Sequence, residues 1–148
     1  MIRAVVDINV LVSALIGPLG FSSRVVDAWL GGRFRLVTAE GIIAELGQKL
    51  KMPRISKWLK EPEQNRQKIN ELLMTEAQII LIPLSEDRRV TGDPEDDYVL
   101  ATTRLSNADY LITGDKKLLG LLEYASAKIV SPREFVAILE SSAEPTPS

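Results

Sequence analysis

Cysteine and histidine are both missing from this 148-residue chain. Without cysteine there is no disulfide, no thiolate metal ligand and no sulfur nucleophile. Without histidine there is no His-ligated zinc, no Ser-His-Asp triad and no imidazole general base. Any hydrolytic chemistry must therefore run on carboxylates, Lys, Tyr or hydroxyls. Long apolar runs are missing too: nothing approaches the roughly 18 consecutive apolar residues of a membrane helix. The first residues lack the charged-then-apolar pattern of a signal peptide, and a cytoplasmic location fits these absences. Strong basicity is the last absence. A net charge of −2 argues against holding nucleic acid by bulk positive charge. An acid-rich metal site would lower the net charge in the same way, so the overall sign decides little.

What is present is enough apolar content, 45%, to bury the core of one compact domain. Residues 2–7, IRAVVD, read as a central strand covered on both faces. LVSALI is helical until GPLG breaks it. FSSRVVDAWLGG reads as a helix that Ser22 or Ser23 can cap and Gly31-Gly32 end. RLVTA, residues 35–39, is a short strand, and GIIAELGQKL a helix that stops before Pro53. A charged helical pair follows at residues 54–78, set apart as an insertion or arm. IILIPL is then a strand, DPEDDYVLATTRLSNA a helix, DYLITGD a strand, KKLLGLLEY a helix, KIVS a strand and PREFVAILE a helix. Strands alternating with helices predict a parallel sheet of about five strands with helices on both faces. Residues 1–140 form the domain, and the tail SSAEPTPS, residues 141–148, is expected to be disordered.

In open α/β sheets, ligands bind beyond the carboxyl ends of the strands. Asp7 ends the first strand there, with Asn9 two residues on. Asp115 follows DYLIT, Glu45 lies in the helix after the second strand, and Asp93, Glu95, Asp96 and Asp97 open the helix before VLATTRL. Each acid has a plain structural use. An acid at a helix start caps it or complements its dipole; Glu45 suits a solvent-facing helix position, and Asp115 a turn. Asp7 is harder to dismiss, because four residues of largely apolar strand precede it and a carboxylate there needs a partner. Together these acids would repel one another unless cations neutralise them. Hard oxygen ligands without His or Cys select Mg²⁺ or Mn²⁺, the ions of metal-assisted phosphodiester hydrolysis.

The segments VVDINVLVSAL, AELGQKL and DPEDDYVLATTRLSNADYLITGDKKLL, in this order and setting, resemble a PIN-domain protein. The nearest likeness is to the group related to the VapC toxins of toxin–antitoxin pairs, and it spans residues 2 to 136. The resemblance implies a PIN-like three-layer α/β/α sandwich and an Mg²⁺- or Mn²⁺-dependent ribonuclease with four metal-binding, catalytic acids. These are Asp7, Glu45, Asp97 (four residues before the small Ala101) and Asp115, with Asp96 or Asp93 open to part of the third role. Asn9 and Thr113 match the polar residues that support such a site. The resemblance also implies an RNA substrate, a cognate antitoxin and a homodimer.

One position departs from the pattern: Ile8 stands where the family commonly has Thr or Ser between the Asp and the Asn. That departure keeps a second reading open, a catalytically weak PIN module that binds RNA or a protein. If the chain turns into a helix directly after Asp7, position 8 is expected to swing toward the site. Phosphatases of the haloacid-dehalogenase type fit less well, because they need D-x-D where this chain has Asn9. Candidate substrate-holding cations are Lys49, Arg54 and other arm residues, with Arg88, Arg89, Lys116 and Lys117 near the acids; a solvated helix face explains the arm cations equally well. Trp58 can stack on a base or pack its helix. Ile69, Leu72 and Leu73 suit a core or a dimer interface equally.

Overall fold

The structure is a computed structural model, and it describes residues 1–142. Strand β1 (Arg3–Val6) leads at once into helix α1 (Ile8–Ile16). Helix α2 (Phe21–Leu30) and strand β2 (Arg35–Ala39) follow, then α3 (Glu40–Lys51), the single turn α4 (Pro53–Ser56), α5 (Pro62–Glu76) and β3 (Gln78–Ile80). The second half runs α6 (Pro94–Ser106), β4 (Tyr110–Ile112), the single turn α7 (Lys116–Leu119), β5 (Glu123–Tyr124), β6 (Ala127–Val130) and α8 (Pro132–Ser142).

The strands form one sheet in the order β3-β2-β1-β4-β6-β5, parallel except for the last pair. β1 and β2 are buried almost end to end, as strands covered on both faces must be. The order places β1 between β2 on one side and β4 on the other. The β1–β4 junction is therefore the switch point of the sheet, where the chain's excursions part to opposite sides and a crevice opens at the carboxyl edge.

The expected α/β sandwich is present, with local differences that have physical causes. The IILIPL strand ends at Ile80, because its partner β2 pairs no further than Ala39 before turning into α3. Leu81 and Leu84 beyond it are exposed, at 83% and 99%. The expected helix KKLLGLLEY stops after one turn, and Leu122, at φ 65°, swings the chain into β5. The sheet thus has a sixth strand, antiparallel to β6 at its edge. Ser22 and Ser23 lie inside the first turn of α2, whose N-cap is Gly20. Ser141 and Ser142, assigned to the tail, complete α8, and residues 143–148 of that tail lie outside the described residues.

The helical pair is no free arm. α5 packs along α3, and Ile69 and Leu73 join the main core with Leu59, while Trp58 is 65% exposed. Replacing Leu73 by Ala should therefore cost about 2–5 kcal/mol of stability in urea unfolding, the range for a buried Leu; a loss within about 0.5 kcal/mol would mark α5 as surface.

Candidate active site at the carboxyl edge of the sheet

Hydrogen bonds tie the end of β1 to the end of β4. The Asp7 amide donates to Ile112 O at 2.9 Å, which extends the β1–β4 ladder by one residue. This brings the Asp7 carboxylate beside Thr113, whose hydroxyl donates to Asp7 Oδ2 at 2.8 Å and accepts from the Asp115 amide at 3.0 Å. Asp115 in turn caps α7, its Oδ1 accepting from the Lys117 amide at 2.9 Å. Thr113 is fully buried and Asp7 only 6% exposed. Burial pushes the Asp7 carboxyl above its ordinary value. The Thr113 hydroxyl, the Asn9 backbone amide and the Lys49 charge oppose that rise, and Asp115 adds to it.

Across the crevice stands the start of α6. Asp93 is its N-cap, accepting from the Glu95 and Asp96 amides. The two acids that follow part company, as neighbours about 100° apart on a helix must. Asp97 is held by the loop before the helix, and it lines the same hollow as Glu45 and Glu95. It accepts from the Thr91 amide at 2.7 Å, the Thr91 hydroxyl at 2.8 Å and the Gly92 amide at 3.2 Å. Burial pushes its carboxyl up, but bonds from Thr91, Val90 and Gly92 outweigh burial and hold it below the ordinary value. Asp96 is the one that enters the field of Asp7 and Asp115. It is 8% exposed, and its Oδ2 has no hydrogen-bond partner. Burial first, then the charges of Asp115, Asp93 and Asp7, push its carboxyl up to about 6. On this helix, then, Asp97 is bonded to the loop, while Asp96 feels the charges of Asp115, Asp93 and Asp7.

Helix α3 supplies the third wall. Glu45 shares a hydrogen bond with Glu95, an acid in the first turn of α6. Burial, then Glu95, push the Glu45 carboxyl up to about 7, while the same bond holds Glu95 below its ordinary value. Lys49, one turn further on, reaches Asn9 Oδ1 and Glu95 Oε2, each at 3.4 Å. The close approach of α3 to α6 depends on Gly41, whose amide donates to the Tyr98 oxygen at 3.2 Å. A Cβ there would lie 2.6 Å from the Tyr98 ring.

Two hollows flank the acids. One of about 660 Å³ is lined by Glu45, Arg88, Glu95 and Tyr98, with Arg88 lying over the Tyr98 ring. The other, of about 340 Å³, is lined by Asn9, Ser13, Ser22 and Asp115. Lys116 and Lys117 are exposed beside Asp115, and the Lys117 charge is felt at Asp96. Arg54 is exposed on α4, outside these contacts. Among the described residues, no three Asp or Glu side chains already close on a point where an ion would sit. The chain does turn into a helix at Ile8, but the Ile8 side chain is 2% exposed and part of the apolar core.

A mostly parallel α/β sheet with carboxylates gathered from several elements at its switch point defines a class of open-sheet proteins whose ligands meet an oxygen-rich edge. The particular family follows from comparison: the family model described as PIN domain matches residues 3–117, and the chain belongs to that family, whose members are generally nucleases. The chain is 28% identical to the uncharacterized protein MJ1680 of Methanocaldococcus jannaschii, over 94% of this chain and 92% of that one. Its fold is similar to a chain in the crystal structure of VapBC2 from Rickettsia felis bound to a DNA fragment from their promoter. That match has a TM-score of 0.54 and 17% identity, over 86% of this chain and 98% of that chain.

The two neighbouring acids should respond oppositely to substitution. The folded state holds the Asp96 proton more tightly than the unfolded chain does, so its contribution to stability falls as pH rises from about 4 through about 6. Asp96→Asn should therefore raise stability in EDTA at pH 7 by on the order of 2 kcal/mol, and the gain should vanish near pH 4. Asp97→Ala strips three hydrogen bonds from a buried carboxylate and should cost about 2–3 kcal/mol at pH 7. Thermal melts of both variants across pH check the pair, and the reverse ranking would show that the two carboxylates are exchanged.

Ile8→Thr would place a hydroxyl in the core and should lose about 1–3 kcal/mol without a gain in activity. A more active variant of unchanged melting temperature would mean that position 8 reaches the site.

Proposed function

We propose that this protein is a divalent-metal-dependent endoribonuclease, the toxin of a toxin–antitoxin pair acting in the cytoplasm. The observation that carries the reading is the buried, partnerless Oδ2 of Asp96 facing the field of Asp7 and Asp115. An isolated carboxylate oxygen in that position is costly unless a cation meets it. The donor set is oxygen alone, which suits Mg²⁺ or Mn²⁺. Asp7, Asp96 and Asp115 would hold the ion, with Glu45 at the rim; closing the set on it takes side-chain rotation. A bound divalent cation supplies Lewis-acid polarisation of a phosphoryl oxygen and hydroxide at neutral pH.

The chain's own residues do the remaining work. Thr113 orients Asp7 and fixes the Asp115 backbone through one hydroxyl. Asp97, through Thr91 and Gly92, holds the loop that enters α6, so Asp96 is presented from a fixed helix start. Lys116 and Lys117 offer charge to backbone phosphates without reading sequence. A strand of RNA laid across the acids would occupy the hollows on either side. The VapBC2 likeness supports an antitoxin partner, and a homodimer belongs to the same reading. The weaker alternative, a PIN module without turnover, rested on Ile8. That side chain packs in the core and away from the acids' oxygen atoms.

Millimolar Mn²⁺ should raise the melting temperature by binding the native state selectively, and it should support cleavage of an RNA panel. Asp7→Asn and Asp96→Asn should each lose the metal-induced rise and most cleavage, on the order of a hundredfold or more. A flat calorimetric titration at millimolar Mn²⁺ would remove the metal site from this reading, and an intact Asp96→Asn enzyme would remove Asp96 from it. A small DNA-binding protein encoded immediately upstream, which silences cleavage when co-expressed, is the expected antitoxin.

A further inference from the structure

Lys49 belongs to the acid cluster itself. Its side chain is only 16% exposed, and the ammonium stands between α1 and α6, 3.4 Å from Asn9 Oδ1 and 3.4 Å from Glu95 Oε2. Glu45 precedes it by four residues on α3, so the two share a helix face in the favourable order. A charge-assisted bond is normally about 2.7–2.9 Å. Two longer contacts mean that the ammonium is held by the field of several carboxylates, with no one short bond to lose on leaving. The acids register that field: Lys49 draws down Asp7, Glu45 and Glu95 alike.

We propose that Lys49 is a tethered counter-ion, which neutralises the Asp7–Glu45–Glu95 side of the cluster in the metal-free protein and opposes the entry of a divalent cation there. The inference rests on reading the cluster as a metal site and adds a residue that works against loading. A lysine in this position keeps the carboxylates together without metal. A divalent cation entering the same field meets a like charge, so the ammonium must move aside. The protein thus trades metal affinity for a folded, charge-balanced apo state.

The test compares wild type with Lys49→Gln by Mn²⁺ calorimetry and by melting in EDTA and in saturating Mn²⁺. The variant should bind Mn²⁺ about tenfold more tightly, melt lower than wild type in EDTA, and recover that deficit in Mn²⁺. Equal or weaker Mn²⁺ affinity, or a melting deficit that is the same in both buffers, overturns the proposal. When wild type binds and the variant binds no better, the metal site stands and this role of Lys49 falls. Binding by the variant alone supports the role strongly, and binding by neither removes both. If the variant does not fold in EDTA, refolding yield becomes the readout: recovery only with Mn²⁺ supports the counter-ion, and failure in both buffers overturns it.

Discussion

The parallel pairing of β1 with β4 is the constraint on which the carboxyl edge depends. Its register runs one residue past β1, through the Asp7 amide and Ile112 O. That step sets Asp7 opposite Thr113, and one buried hydroxyl then serves both the Asp7 carboxylate and the Asp115 backbone. β1 lies between β2 and β4, so α3, which leaves β2, and α6, which leads into β4, meet beside this crevice. α3 brings Glu45 and Lys49, and α6 brings Asp96. A shift of one residue in this pairing would reverse the face of every side chain on the strand and break the chain of contacts at its first bond.

Such an edge is built against its own stability. Asp7 and Asp96 are both buried, and Asp115 raises the cost of ionising either, with Asp7 adding to it at Asp96; Glu45 is pushed to about 7 by burial and by Glu95. Compensation is partial: a hydroxyl for Asp7, an ammonium for Glu95, nothing for Asp96 Oδ2. Groups left in this condition add nothing to folding, and the proposed metal site gives them a use. By contrast Asp97, on the same helix turn, has three hydrogen bonds from Thr91 and Gly92 to stabilise its charge.

Much of the fold was legible because its signals are local. Buried apolar runs marked β1 and β2, and the glycines and prolines between segments marked their ends. The misread elements are those whose limits are set by neighbours. IILIPL has the composition of a six-residue strand, yet β3 stops at Ile80 because β2 turns into α3 and offers no further ladder. KKLLGLLEY has helical spacing, yet the edge of β6 recruits Glu123–Tyr124 as a strand. The charged pair α4–α5 read as an arm because charge outnumbers apolar residues there, while the few that count, Ile69 and Leu73, are buried on α3.

By itself the sequence determined the chemistry on offer: no imidazole, no thiolate, and acids at the ends of strands and starts of helices in an order shared with PIN domains. It could not decide between Asp96 and Asp97, because adjacent residues on a helix start carry the same chemistry about 100° apart. Only the packing of the 91–92 loop against α6 assigns one carboxylate to that loop and leaves the other to the cluster. The same holds for Ile8, whose backbone turn was readable while its burial was not, and for Lys49, which one dimension makes an arm cation. Its place among the acids exists only once α1, α3 and α6 meet, because a charge's partners are set by distance in space and not along the chain.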